Sequence, residues 1–265
     1  MESRGARIAI RAGAAFVLAF LYVPLIVVIL YGFNGSVAQD WPPKDFTTKW
    51  FSLAWADQNM REALWNSVKI GLVASFVAVV LGSLAAFAVH RYRFFGREAV
   101  SFALVLPIAL PGIVTAMALR SAMGTTGVKF SLWTIMIGHA TFCVVVVFNN
   151  VIARLRRTSG SIVEASMDLG ADGWQTFRFV TLPSIGTALV AGALLAFALS
   201  FDEIIVTNFL SGAELTLPKW IFNAIRLPRN RPVANAVALI VILLSVIPVY
   251  LAQRLVNPVE DRSER

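Results

Sequence analysis

The chain of 265 residues is 58% hydrophobic and only 14% charged, with a formal net charge of +8. Soluble domains carry about 25% charged residues, so there is too little charge here to cover a water-facing surface, and lipid has to be the main solvent. The basic excess does not point to nucleic acid, because no basic stretch is interleaved with aromatic residues; in a membrane chain it is the Lys/Arg excess that sets orientation.

Six apolar stretches, at 9–33, 64–89, 99–119, 132–153, 185–210 and 233–252, are each long enough to cross about 30 Å of hydrocarbon as a helix, which takes roughly 20 residues. They are continuous rather than alternating, so the predicted fold is an all-α polytopic membrane protein, one transmembrane domain over 1–265, and not a barrel. The first stretch follows Arg4, Arg7 and Arg11, and Ser36, Val37 and Ala38 beyond it faintly resemble a cleavage site. Its apolar run exceeds the roughly 7–15 residues of a signal peptide, so it reads as an uncleaved first helix. The connection at 34–63 holds Trp41, Pro42, Pro43, Trp50, Phe51 and Trp55, aromatic residues suited to the headgroup interface. In the third stretch Pro107, Pro111 and Gly112 predict a broken helix. In the fourth, His139 reads as an interhelical hydrogen-bonding residue, Asn149 and Asn150 as packing or capping residues, and the single cysteine, Cys143, as a small buried apolar group.

The loop at 154–184 is too long and too patterned for a simple connector. Ser161 and Glu164 have the spacing of a capping box, a short helix then runs to Leu169, and Gly170 sits where a left-handed residue ends it. Asp172 and Gln175 form a second box opening a short helix toward Phe179, with the fifth span starting after Pro183. The result is a hairpin lying flat on one membrane face, with Met167, Leu169, Trp174 and Phe177 free to pack. On shape alone it fits an amphipathic interfacial hairpin.

Within the fifth span Asp202 and Glu203 each cost on the order of 3 kcal/mol in hydrocarbon, so something must offset them. In a continuous helix, Gly192, Ala196, Ser200, Glu203, Thr207 and Ser211 make one small, polar stripe, which puts Glu203 toward a pathway or a partner subunit. Asp202 lies about 100° round, beside Leu195, Leu199 and Val206, where it pairs locally. The competing reading is a buried ion pair with Lys69 of the second span. Ser200, Asp202, Glu203 and Thr207 are the pathway candidates.

With the N-terminus inside, the inner segments carry thirteen Arg (4, 7, 11, 91, 93, 97, 154, 156, 157, 178, 254, 262 and 265) against nine Lys and Arg outside, and Lys69 within the second span. Both termini and the 154–184 loop are therefore expected on the cytoplasmic side.

Glu164, Ala165 and Ser166, then Gly170, then Val180, Leu182 and Pro183 match in spacing the EAA signature, EAA-x3-G-x9-I-x-L-P, of ABC importer permeases, with Ser166 for Ala and Val180 for Ile. Phe94 to Arg97, Leu106 with Pro107, Leu110 to Gly112, Gly138 to Phe142 and Leu199 to Glu203 resemble the C-type permeases of spermidine/putrescine importers. The resemblance implies the type I importer fold in a bacterial inner membrane, and polyamines or related small organic cations as cargo. It also implies a second permease, two copies of a cytoplasmic ATPase and an extracytoplasmic binding protein as partners. In that family the hairpin docks on the ATPase, which would make Glu164, Ala165, Ser166, Asp168, Leu169, Gly170, Leu182 and Pro183 the coupling surface. The chain has no G-x4-G-K-[ST], so it is expected to be a non-catalytic transport subunit whose ATP is hydrolysed by a partner.

The alternatives are a permease of the same class for another solute, or an ATPase-independent secondary transporter, which would leave the patterned loop without a purpose. A membrane enzyme is disfavoured: two histidines on apolar spans supply no catalytic or metal-ligating cluster, and neither metal nor cofactor is expected. The orientation is checked by maleimide labelling of single-cysteine variants in intact cells. A cysteine at position 168 should stay unlabelled until the membrane is opened, and one at position 41 should label from outside; labelling of 168 in sealed cells reverses the topology.

Overall fold

The computed structural model describes residues 4–256; Arg262 and Arg265, counted above toward the inner charge, lie outside the described residues, as does the end of the predicted domain. Twelve α-helices are present among them: α1 (Arg4–Phe33), α2 (Lys49–Ala56), α3 (Gln58–Arg91), α4 (Arg97–Ala109), α5 (Gly112–Thr125), α6 (Leu132–Arg157), α7 (Gly160–Asp168), α8 (Gly173–Thr176), α9 (Leu182–Asp202), α10 (Ile205–Leu210), α11 (Leu217–Ile225) and α12 (Arg231–Val256). A π-helical turn, Phe177–Thr181, joins α8 to α9. The sole strand-like pairing among the described residues is an isolated bridge between Asn34 and Phe46.

Among the described residues five helices are long and apolar enough to cross a membrane: Gly5–Phe33, Gln58–Arg91, Leu132–Arg157, Gly173–Asp202 and Pro228–Val246. The third predicted stretch, 99–119, has no counterpart among these and is split into α4 and α5. Pro111 lacks an amide hydrogen and pushes Leu110 to an extended ψ of 146°, so the helix stops and restarts at Gly112. The fifth, 185–210, is also split, at Glu203 and Ile204, which its composition did not forecast.

Packing divides the chain into two units, one reaching to Met60 and including Trp220–Leu244, the other made of Arg61–Lys219 and the residues from Ser245 on. In the first unit, the connection after α1 is organised by Asn34. Its Oδ1 accepts from the Ser36 amide at 2.9 Å, its Nδ2 donates to the Asp40 carbonyl at 3.2 Å, and its carbonyl accepts from Trp50 Nε1 at 2.7 Å. Trp50 is consequently 5% exposed and belongs to the interior of the connection, not to a headgroup belt. An indole N–H needs an acceptor, and here a buried carbonyl supplies it. Trp41 and Trp55 remain exposed.

In the second unit α6 is the central element, with 61% of its most apolar window buried. One core cluster gathers Ala78, Ala86 and Val89 of α3, Val147, Phe148 and Val151 of α6, and Ile185 and Ala196 of α9. Another gathers Ile70, Ala116, Ile135, Met136, Val206 and Leu210. Small residues let the helices come this close. A β-carbon on Gly82 of α3 would lie 2.8 Å from the Val144 carbonyl and 3.0 Å from the Phe148 amide nitrogen of α6, and backbone cannot step aside. Gly82→Ala should therefore cost about 1–3 kcal/mol of overpacking and lower the yield of monodisperse protein in detergent. Gly186→Ala, whose β-carbon meets nothing within 4 Å, should leave that yield unchanged or raised, and size-exclusion profiles of the two variants make the comparison.

Candidate functional site

The hairpin is set by its caps. α6 ends at Thr158, where ψ turns to 126°, and Ser159 is the N-cap of α7, its Oγ accepting from the Ser161 amide at 3.3 Å. The capping box expected at Ser161 and Glu164 does not form. Helix α7 starts two residues earlier, Ser161 falls inside its first turn, and Glu164 is left exposed on the surface. At the other end the expectation holds. Gly170 has φ +88°, its amide donates to the Met167 carbonyl at 2.9 Å, and the Ala171 amide donates to the Ser166 carbonyl at 3.1 Å. These two bonds are a Schellman closure, which satisfies carbonyls that the helix end would strand. Asp172 and Gln175 form both arms of the second box, at 2.8 and 2.9 Å.

The second hairpin helix does not end near Phe179 as expected. α8 passes through the π turn into α9, so Gly173–Asp202 is one helical rod of 30 residues, about 45 Å long at 1.5 Å per residue. The wide turn lies directly before the first turn of α9, where Pro183 sits, and it gives the proline ring room that a regular turn would deny. Ser166, where the signature has Ala, uses its hydroxyl to meet Thr176 Oγ1 at 3.1 Å and ties α7 to α8. Phe177 stacks edge-on against Phe87 of α3 at 5.5 Å. Outward from this braced body face Glu164, Ala165, Asp168, Gly170 and Leu169, the last 90% exposed, beside Trp174 at 66%. Leu182 and Pro183 are also exposed but stand in the first turn of α9, beyond the π turn.

At the far end of the rod α9 stops at Asp202. Glu203 has an extended ψ of 113°, and its Oε1 accepts from the amides of Ile205 at 2.7 Å and Val206 at 3.0 Å. The carboxylate thus serves as an anionic cap on the short helix α10. The proposed stripe is real in spacing but turned inward. Gly192, Ala196, Ser200, Thr207 and Ser211 are all buried within this subunit, and Glu203 is not part of the row. Asp202, expected to pair locally, is instead the exposed member of the acidic pair. Lys69 has a different neighbour, with its Nζ 5.7 Å from the Trp65 ring.

Ser200 and Thr207 are brought together by His139, which is 1% exposed. Its Nδ1 is 2.8 Å from Ser200 Oγ and its Nε2 is 3.0 Å from Thr207 Oγ1. Thr207 also donates its hydroxyl hydrogen to the Glu203 carbonyl at 2.8 Å. A carbonyl can only accept, so Thr207 must accept from Nε2–H; in a neutral ring Nδ1 is then an acceptor, and Ser200 donates to it. Sequence reasoning foresaw a hydrogen-bonding histidine but not a chain with this fixed direction. It also missed the groups that hold the C-terminal end of α10. Arg120 Nη1 donates to the Phe209 carbonyl at 2.6 Å, Thr134 Oγ1 to the Leu210 carbonyl at 2.7 Å, and Lys219 Nζ to Ser211 Oγ at 2.6 Å. Burial pushes the Lys219 ammonium below the ordinary lysine range. Among the described residues no three His, Cys, Asp or Glu side chains are grouped as a metal ion would need.

Residues 78–260 match the family described as the binding-protein-dependent transport system inner membrane component. The chain is 34% identical over 239 residues to the spermidine/putrescine transport system permease protein PotC of Escherichia coli (strain K12), covering 89% of each chain. It is 35% identical over 233 residues to the putrescine transport system permease protein PotI of the same organism, covering 84% of this chain and 82% of that one. Among solved structures, a bacterial ABC transporter that imports the acidic polysaccharide alginate superposes with a TM-score of 0.68 at 19% identity, over 98% of this chain and 99% of that one. The structural likeness carries the fold and the sequence matches carry the lineage: this chain belongs to the binding-protein-dependent transport system inner membrane components, the membrane-spanning permeases of ABC importers.

Proposed function

We propose that this permease imports small organic cations of the polyamine kind, driven by an ATPase that docks on the 160–183 hairpin. The observation that carries the reading is the continuity of the Gly173–Asp202 rod, which runs from an exposed, doubly capped hairpin to an acidic break in a span. A rigid body of this kind converts movement at one end into movement at the other. Two copies of a cytoplasmic ATPase, a second permease and an extracytoplasmic binding protein complete the importer, with both termini and the hairpin on the cytoplasmic side. Glu164, Ala165, Ser166, Asp168, Leu169 and Gly170 form the docking tip, and Leu182 and Pro183 the part of the coupling surface at the first turn of α9.

The electrostatics of the break support a cationic cargo. The C-terminal end of α9 presents carbonyls with no following turn, a partial negative charge, and Asp202 adds a full one. The positive N-terminal end of α10 would oppose this, but Glu203 neutralises it. A polyamine shedding water inside the membrane regains part of its hydration energy from such a wall. Pot-family relatives are named for spermidine and putrescine, in keeping with this sign of charge.

The docking role is tested at Gly170. Its φ of +88° is costly for a β-branched residue by roughly 1–2 kcal/mol, while the surrounding space is open, so strain and not crowding is the obstacle. In proteoliposomes holding the assembled importer, Gly170→Val should insert normally yet lose ATP-driven uptake, and Gly170→Asn, which tolerates this conformation, should retain most of it. Full uptake by Gly170→Val removes the hairpin from the coupling path.

The cargo reading is tested with radiolabelled spermidine and putrescine. Asp202→Asn should slow uptake by about fivefold, the scale of one screened charge contact near 1 kcal/mol. Glu203→Gln should do less, since an amide oxygen can still cap α10. The opposite order would assign the cargo to Glu203, and equal rates for all variants would remove the acidic pair from the pathway.

A further inference from the structure

Four contacts between α6 and α9 fall in one register. Arg154 Nε donates to the Ser184 carbonyl at 2.9 Å, the Val147 Cα lies 3.4 Å from where a Gly192 β-carbon would be, Cys143 Sγ donates to the Ala196 carbonyl at 3.3 Å, and His139 Nδ1 meets Ser200 Oγ at 2.8 Å. The first step is seven residues on α6 and eight on α9, and the last three rungs advance by four residues on both sides, one helical turn at a time. The hairpin joins the two helices at the base, where Ser166 and Thr176 brace it. Hairpin, α6 and α9 therefore form one zipped body.

The zipper ends where α9 ends. The next rung after His139 and Ser200 would place Ile135 opposite Ile204, but Ile204 is already outside the helix. His139 is thus the rung at the break, and its second nitrogen reaches across to Thr207 of α10. We infer that His139 is a positioning residue that joins α10 to the zipped body, so that a displacement applied at the hairpin is delivered to the segment beyond the break. This rests on the hairpin being the docking element for the ATPase.

Conservative variants separate the two nitrogens. Gln places its amide nitrogen near the position of Nε2 and keeps the bond to Thr207. Asn places its amide near Nδ1 and keeps the neighbour in α9 only. In the assembled importer, cargo moved per ATP hydrolysed should fall at least about fivefold in His139→Asn and in Thr207→Val, the scale of one net hydrogen bond. It should stay within about twofold of wild type in His139→Gln. The double variant His139→Asn/Thr207→Val should be no worse than Thr207→Val alone, because that single change already removes the bond to His139 along with the one to the Glu203 carbonyl. An additive double variant, or a His139→Gln as uncoupled as His139→Asn, overturns the inference. A wild type that hydrolyses ATP without moving cargo overturns the docking and cargo readings instead. The joint itself is then read from spin labels at the exposed positions 137 and 208. Their distance distribution should broaden in His139→Asn and not in His139→Gln, and identical distributions overturn the inference independently of cargo.

Discussion

A backbone amide freed inside a membrane span has no water to turn to, so a broken helix there persists only if side chains take over the lost bonds. At Glu203 and Ile204 this constraint governs the surroundings. The Glu203 carboxylate takes the amides of Ile205 and Val206, Thr207 takes the Glu203 carbonyl, and His139 holds Thr207 to Ser200. Beyond α10, Arg120 and Thr134 take the carbonyls of Phe209 and Leu210. Each of these groups would be an expense in hydrocarbon on its own; together they satisfy one another and leave Asp202 as the carboxylate still facing outward.

The same accounting explains what could be seen in the amino-acid order. The close of α7 and the second capping box were legible because their chemistry is local: a glycine at positive φ, and an Asp three residues before a Gln. The start of α7 was misplaced by two residues because Ser159 and Ser161 are equally good caps, and the choice between them lies in where α6 ends. Pro111 announced the split between α4 and α5 by its missing amide.

The break at Glu203 carried no such signal. The run from Leu199 to Val206 is apolar enough to read as one span, and only the weak helix formers Ile204, Ile205, Val206 and Thr207 after a carboxylate hinted at a restart. The stripe of small residues was correctly spaced but its direction was not readable, since Gly, Ala and Ser serve a seam inside a subunit as well as one between subunits. Trp50 was drawn to the lipid headgroups for want of knowing that Asn34 would offer it a carbonyl.

The length of the rod has a mechanical meaning. A helix of 30 residues anchored at its base acts as a lever, and a tilt of about 5° there sweeps its tip through roughly 4 Å. Coulomb energy falls with distance, so a swing of that size takes a carboxylate from contact with an ammonium group to a separation at which solvent screens much of the attraction. Asp202 rides on the tip. In the proposed import of a cation, grip and release would be two angles of one stiff arm, with no need for the charge itself to change.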